Sequence, residues 1–512
     1  MLTIPELFER TLERRSDRRW LSYEDDTYTY GEAHRRIGSI ADALAQIGIE
    51  HQSMVFATTR NSADYLFTWL AVMRLGAIFV PVNPASSPSE LEGLLAQVRP
   101  RLAVTDTELR EVVEKSIAET GAGSTVIMVD ELTASSGEPP PIGARPDDVS
   151  VMIPTSGTTG RSKLVMQTQR AYAMAGEGFP FWMGLTEEDR LMTSLPLFHI
   201  NAPAYSTLGS VAAGAGLVLL SRFSGSGFLD SARRYGATEF NAIGAMLEIL
   251  MRQPESEDDT DNPLRLCYTG PTPPRERQLE IERRFDLQLI CGYALSESPY
   301  GLIWRKGTRP YGTLGSLRQH PTMGEVGFGR VMDGEREVEV GETGELQLKN
   351  PALMLGYYDM PEETERVLAD GWLRTGDLVT VNDDETFTFV GRKKELIRRR
   401  GENLSPLEVE VALEVHPAVA EAAVIGVPSE LSEEDVKAFV VLATGHAVEM
   451  VELRDFVAER LAPFKVPRYF ELVDELPHTP TGRISKPQLA RDRNDAEEDL
   501  DTRASSGGEA HG

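Results

Sequence analysis

The chain moves between two hydrophobic rhythms from its first residues. From Tyr30 to Leu44 apolar side chains recur at three- and four-residue spacing, which predicts an amphipathic helix. Met54–Thr58 is a short apolar run and predicts a strand. The helical rhythm returns from Tyr65 to Leu75 and stops near Gly76, and Ile78-Phe-Val-Pro-Val is a further strand closed by Asn83-Pro84. Alternation of this kind predicts a mainly parallel sheet with helices on its faces.

The pattern continues past residue 150. Val149 to Ile153 reads as a strand entered from the loop at Ser135-Ser-Gly-Glu-Pro-Pro-Pro. The most apolar run, Val211 to Leu220, is too short to span a bilayer and reads as a buried strand or helix. Gln253 to Asn262 is expected as an acidic surface excursion, and Leu289-Ile-Cys-Gly as a strand running into a turn. Beyond Gly324, short strand-like runs and Gly/Glu turns predict a small β-rich subdomain. The texture changes again near residue 392. Ser405-Pro406-Leu407-Glu408 has the form of a capping box with proline at the first helical position. A helix from Pro406 to before Pro417, strands at Val419–Val427 and Lys437–Leu442, and a helix at Val451–Leu461 would complete a compact α+β domain. From Arg491 the tail is polar and mostly acidic and is expected to be disordered. The predicted fold class is α/β. A large N-terminal domain (1–392) has mixed, mainly parallel sheets with helices plus a β-rich subdomain; a small, mobile α+β C-terminal domain (393–490) and a tail (491–512) follow.

Composition narrows the function. A 512-residue chain exceeds one ordinary core. The 52 basic residues face 80 acidic ones, for a net charge of −28, which argues against a nucleic-acid or anionic-membrane surface. Any site for a polyphosphate must then be a local positive patch. The start lacks a basic stretch followed by an apolar one, so no secretory signal is read there. Only Cys267 and Cys291 are present; two thiols in a chain this long point to a reducing cytoplasm, with buried filler their expected role.

The densest chemistry lies in Thr155-Ser156-Gly157-Thr158-Thr159-Gly160-Arg161-Ser162-Lys163. The glycines let successive N–H groups turn toward one oxyanion, the hydroxyls add donors, and Lys163 adds a mobile positive charge. The expected ligand is a nucleoside triphosphate held by its tail. The stretch is not a Walker A loop, because Lys163 follows Gly160 by three residues and Leu164 follows Lys163.

With four further stretches, this one resembles the adenylate-forming superfamily of acyl-CoA synthetases, firefly luciferases and carrier-loading adenylation domains. Tyr293-Ala294-Leu295-Ser296-Glu297 resembles the aromatic-x-x-Thr-Glu turn, and Gly371-Trp-Leu-Arg-Thr-Gly-Asp377 the ribose-binding aspartate motif. Gly391 to Glu410 resembles the interdomain hinge, and Phe240 to Met246 with Asp261 to Arg265 is similar to the crotonobetaine/carnitine-CoA ligase branch. The resemblance implies ATP (or a supplied acyl-AMP), Mg²⁺ and CoA as cofactors and substrates. It also implies two steps: a carboxylate attacks the α-phosphorus of ATP and expels pyrophosphate, then a thiol takes the acyl group and expels AMP.

The resemblance assigns residues as well. Thr155, Ser156, Gly157, Thr158, Thr159, Gly160, Lys163, Gly270, Tyr293, Ser296, Asp377 and Arg392 would bind nucleotide. Glu297 would hold Mg²⁺, a hard cation suited to a carboxylate. His199 would be the aromatic gate between the ATP and acyl pockets. Phe240, Asn241, Gly244, Ala245 and Met246 would line the acyl pocket. Arg400, Gly401 and Glu402 would meet CoA, and the small domain would swing about Lys394.

The sequence departs from the family pattern at the adenylation lysine. Thr479-Pro-Thr-Gly-Arg483-Ile-Ser-Lys486 has arginine where the lysine stands in the family, with a lysine three residues later. A guanidinium is a broad planar fork and an ammonium a compact charge. The main reading is an AMP-forming acyl-CoA ligase, with Arg483 or Lys486 serving the first step. The alternative is an enzyme that only forms thioester from acyl-AMP supplied by a separate adenylating enzyme. A carrier-protein-loading enzyme, a luciferase-like monooxygenase and a non-catalytic acyl-nucleotide binder are the remaining readings.

Overall fold

The helix expected from Tyr30 runs Tyr30–Gln46, held at its start by a capping box between Thr29 and Glu32. The next runs Ala63–Leu75, is buried on nearly every face, and ends where Gly76 turns left-handed at φ +68°. A Cβ there would lie 2.9 Å from the carbonyl oxygen of Gly143, so both conformation and space call for glycine.

The structure, a computed structural model, describes residues 1–132, 139–155, 162–270, 272–399, 402–429, 434–478, 484–490 and 497–499. The chain divides into two units. The first is Met1–Arg330, Gln347–Arg374 and Asp384–Phe387; the second is Val331–Leu346, Thr375–Asp383 and Thr388–Gly512.

The first unit contains two large, mainly parallel sheets. One has seven strands in the order Gly356–Tyr357, Lys163–Thr168, Val149–Thr155, Ile78–Pro81, Met54–Thr58, Leu102–Thr105, Thr125–Met128. Its first two strands run antiparallel to their neighbours and the rest are parallel. The other has nine strands, and its centre is a parallel run of Gln288–Leu295, Leu266–Gly270, Glu239–Ile243, Arg190–Thr193, Gly216–Leu219 and Arg19–Tyr23. Buried apolar side chains from both sheets and several helices share one large core, with Phe8, Trp20 and Tyr30 packed ring to ring, and a second cluster including Phe56, Val80 and Leu94 lies on the seven-stranded sheet. The apolar run Val211–Leu220 is both things the sequence allowed. A helix Leu208–Ala213 ends at the left-handed Gly214, and the strand Gly216–Leu219 follows. Cys267 and Cys291 are buried. Burial pushes both thiols up, Cys291 to about 12, so neither is a ready nucleophile. In the acidic segment Gln253 to Asn262, Asp259 turns inward and pairs with Arg284 at 2.8 Å.

From residue 324 the elements become short strands, including Phe328–Asp333, Arg336–Glu337, Thr343–Lys349 and Phe387–Arg392. The second unit carries a four-stranded sheet of Val419–Pro428, Glu434–Leu442, Tyr469–Leu472 and Glu497–Asp499, with helices Pro406–Glu414 and Met450–Ala458. The capping box expected at Ser405 does not form. Ser405 makes no side-chain cap bond, and Glu408 instead binds Lys465 Nζ at 2.6 Å. No described helix is long and apolar enough to cross a membrane.

Candidate functional site

Open α/β sheets bind ligands beyond the carboxyl ends of their parallel strands, and the candidate residues of the first unit lie there. Val149–Thr155 ends at Thr155, whose hydroxyl donates to the carbonyl of Lys163 at 3.2 Å. Ser156, Gly157, Thr158, Thr159 and Gly160 lie outside the described residues. Lys163 opens the returning strand. Its ammonium lies 2.6 Å from Glu363 Oε2 and 4.8 Å from the centre of the Tyr357 ring.

On the other sheet, Gln288–Leu295 reaches Tyr293 and turns through Ser296 and Glu297 into the antiparallel strand Ser298–Ile303. Three bonds tie this turn to the seven-stranded sheet and the chain beside it. Gln167 donates to the Ser296 carbonyl at 2.6 Å, Met354 N–H to the Glu297 carbonyl at 2.8 Å, and the Tyr357 hydroxyl to Glu297 Oε1 at 2.9 Å. Burial, then the charge of Glu297, raises the Tyr357 phenol well above its ordinary range, so it remains a donor. Gly270 ends its strand where a Cβ would sit 2.6 Å from the Gly292 carbonyl; only glycine lets these neighbouring strands close up.

A lone carboxylate is a donor set that Mg²⁺ accepts, because this ion takes one or two carboxylates and draws its other ligands from water and substrate phosphates. Glu297 is half-buried, its Oε1 is fixed by Tyr357, and the cation Lys163 stands on the same tyrosine ring. The residues present therefore fit the ion.

The acyl-pocket candidates separate by strand alternation. Phe240 packs its ring on Phe228 at 4.9 Å inside the core. Asn241 faces the other way and donates to Asn201 Oδ1 at 2.5 Å. Met246 is buried, Ala245 is exposed, and a Cβ on Gly244 would meet nothing within 4 Å. His199 is half-buried, its ring 4.5 Å from that of Phe198.

In the second unit, Asp377 is buried and pairs with Arg392 Nε at 3.1 Å. Its N–H donates to Thr375 Oγ1 at 3.1 Å, and Gly376 turns left-handed at φ +72° to present it. Lys394 is exposed in the turn after Arg392. Arg400, Gly401, the side chain of Glu402 and Arg483 lie outside what is described. Lys486 is engaged: its ammonium lies 2.7 Å from Glu410 Oε1 and 3.5 Å from Glu395 Oε2. Burial raises Glu410 above the ordinary carboxylate range, and Lys486 opposes that shift.

Sequence reasoning missed Tyr357 and Glu363. Their partners lie 60 and 200 positions away, and no local periodicity marks such pairs.

Comparison with known proteins gives the family of the chain. Residues 8–358 match the family model of AMP-binding enzymes, and residues 408–483 match that of the AMP-binding enzyme C-terminal domain. The chain is 30% identical over 488 residues to the crotonobetaine/carnitine–CoA ligase of Escherichia coli, covering 90% of this chain and 93% of that one. Among solved structures, ATP-bound MatB from Rhodopseudomonas palustris superposes with a TM-score of 0.86 at 26% identity, over 95% of this chain and 98% of that one. The o-succinylbenzoate CoA synthetase of Bacillus subtilis, solved with its acyl-adenylate intermediate, superposes at 0.85 with 28% identity and the same coverage. The sequence match runs nearly end to end and the fold match extends to ligases holding ATP and an acyl-adenylate, so this chain belongs to the AMP-binding enzyme family, as an AMP-forming acyl-CoA ligase.

Proposed function

We propose that the two steps divide between named residues as follows. In the first, a carboxylate oxygen of the acid bonds to the α-phosphorus of ATP, and the bond from that phosphorus to pyrophosphate breaks. In the second, the CoA sulfur bonds to the acyl carbon, the bond from carbon to AMP oxygen breaks, and the thiol proton leaves. Both steps crowd negative charge, so oriented cations and amides supply most of the stabilisation. Mg²⁺, when bound at Glu297, supplies Lewis-acid neutralisation of the phosphate oxygens. Lys163 neutralises the tail of the triphosphate, Tyr293 stacks on adenine, and Asp377 accepts from the ribose hydroxyls with Arg392 holding its carboxylate. Lys394 serves as the hinge between steps, and the Arg400–Glu402 stretch meets CoA.

One observation carries this reading. Glu297 and Lys163, from different sheets, converge on the single side chain Tyr357. The test offers a panel of carboxylic acids with ATP, Mg²⁺ and CoA. The expected products are a CoA thioester, AMP and pyrophosphate in equal amounts; ADP in place of AMP, or no product with any acid, would refute it. The two buried, reduced cysteines fit a cytoplasmic setting.

A second reading is favoured by the position of Lys486. A lysine clamped between Glu410 and Glu395 is poorly placed to replace the missing adenylation lysine, so the first step falls to Arg483 alone. The chain is then slow at adenylation and relies on acyl-adenylate made by a separate enzyme. ATP–pyrophosphate exchange reports the first step, and CoA acylation from synthetic acyl-adenylate reports the second. This reading expects weak exchange, rapid acylation, and exchange raised about 100-fold in Arg483→Lys. Robust exchange in the unaltered chain would eliminate it.

A further inference from the structure

Adenylation chemistry has no need for a carboxylate on a phosphate-binding cation, yet Lys163 carries one. Glu363 lies in the first turn of the helix Pro361–Val367. It takes Lys163 at 2.6 Å with one oxygen and Arg366, a turn later, with the other. The Lys163 side chain is 14% exposed and that of Glu363 26%, so the pair is only partly screened by solvent. The face of Tyr357 lies against the same ammonium and confines its reach.

Carboxylate and phosphate oxygens are alternative partners for an ammonium, and the phosphate wins when it brings more charge. We infer that Glu363 is an internal stand-in for nucleotide phosphate. It holds Lys163 while no nucleotide is bound, yields it to the terminal phosphates of ATP, and retakes it once pyrophosphate has left. The inference rests on the ligase reading given above. Glu363 thereby opposes retention and rebinding of pyrophosphate. The arrangement also discriminates among nucleotides. A carboxylate beside the terminal phosphates opposes ATP and pyrophosphate through like-charge repulsion, whereas AMP places nothing there.

The test measures binding rather than turnover, by calorimetry on the full chain with Mg²⁺ present. In Glu363→Gln, ATP and pyrophosphate should each bind about fivefold more tightly while AMP changes less than about twofold. Glu363→Asp, which keeps the charge, should bind all three as the unaltered chain does. Adding Lys163→Ala to Glu363→Gln should remove the gain. Unchanged or weaker ATP binding in Glu363→Gln, in a variant that melts where the unaltered chain melts, would overturn the inference and leave the ligase reading standing. Equal tightening of AMP and ATP would overturn it too, because the effect would not be at the terminal phosphates. An unaltered chain that binds neither ATP nor AMP would remove the ligase reading, and this inference with it.

Discussion

At the scale of single residues, Glu297 and Lys486 make opposite predictions. Glu297 is half-buried and accepts from the Tyr357 hydroxyl, and the cation Lys163 lies over the ring of the same tyrosine. Glu297→Gln keeps the shape and removes the charge. It should lower ATP–pyrophosphate exchange by roughly 100- to 1,000-fold, the cost of losing one well-placed electrostatic group, with the melting temperature unchanged. Tyr357→Phe keeps the ring under Lys163 and removes only the hydroxyl. Lys486 is structural by its contacts. Lys486→Met leaves Glu410 buried without its cation and should cost about 3 kcal/mol. Adding Glu410→Gln should recover both the stability and the exchange rate. If stability returned and exchange did not, Lys486 would be acting on substrate.

At the scale of elements, strands and helices of the first unit were legible because their own side chains dictate them. Ala63–Leu75 is apolar enough to be buried on nearly every face and closes on a glycine, and Met54–Thr58 is the strand its short apolar run suggested. What was not legible depends on partners distant in sequence. The capping box at Ser405 fails because Lys465, 57 positions on, takes Glu408. Arg318 looks like a surface residue in the sequence but is 1% exposed. It donates to the hydroxyls of Tyr205 and Tyr268 and to the carbonyls of Pro299 and Leu302, between the rings of Trp182 and Tyr205. This cation fixes the strand that follows Glu297. Arg318→Lys loses the planar fork and should cost about 3 kcal/mol, read as a shift in the urea midpoint. The strand Glu239–Ile243 carries a second buried surprise. Glu239 is fully buried, neither carboxyl oxygen meets a hydrogen-bond donor among the described residues, and burial raises its pKa well above the ordinary value. The folded chain therefore holds a proton that the unfolded chain releases above about pH 4.3, so this group erodes stability as pH rises. Glu239→Gln cannot ionise. Its melting temperature relative to the unaltered chain should climb between pH 5 and pH 8; a difference independent of pH would show that Glu239 is ionised in the fold.

At the scale of the whole molecule, a chain of net charge −28 must bind two polyanions, ATP and CoA. The cations expected to meet them are Lys163 and, in the second unit, the run Arg398-Arg399-Arg400, of which Arg399 is buried against Asp435. The two influences act over different distances, and salt separates them. At about 0.01 M salt the Debye length is roughly 30 Å, so an approaching nucleotide feels the whole acidic body; at 0.15 M it is roughly 8 Å, and only the local cations remain in view. Raising salt from about 0.01 to 0.15 M should therefore lower KM for ATP and CoA by a few fold, the reverse of the behaviour of a basic polyanion-binding protein. Above that range the local contacts are screened in turn and KM should rise, giving a minimum near physiological ionic strength. Replacing several surface glutamates remote from the site by glutamine should flatten the low-salt limb and leave the high-salt limb in place. A KM that rises monotonically from the lowest salt would mean that the local patch dominates at every distance, and that the acidic body has no part in substrate approach.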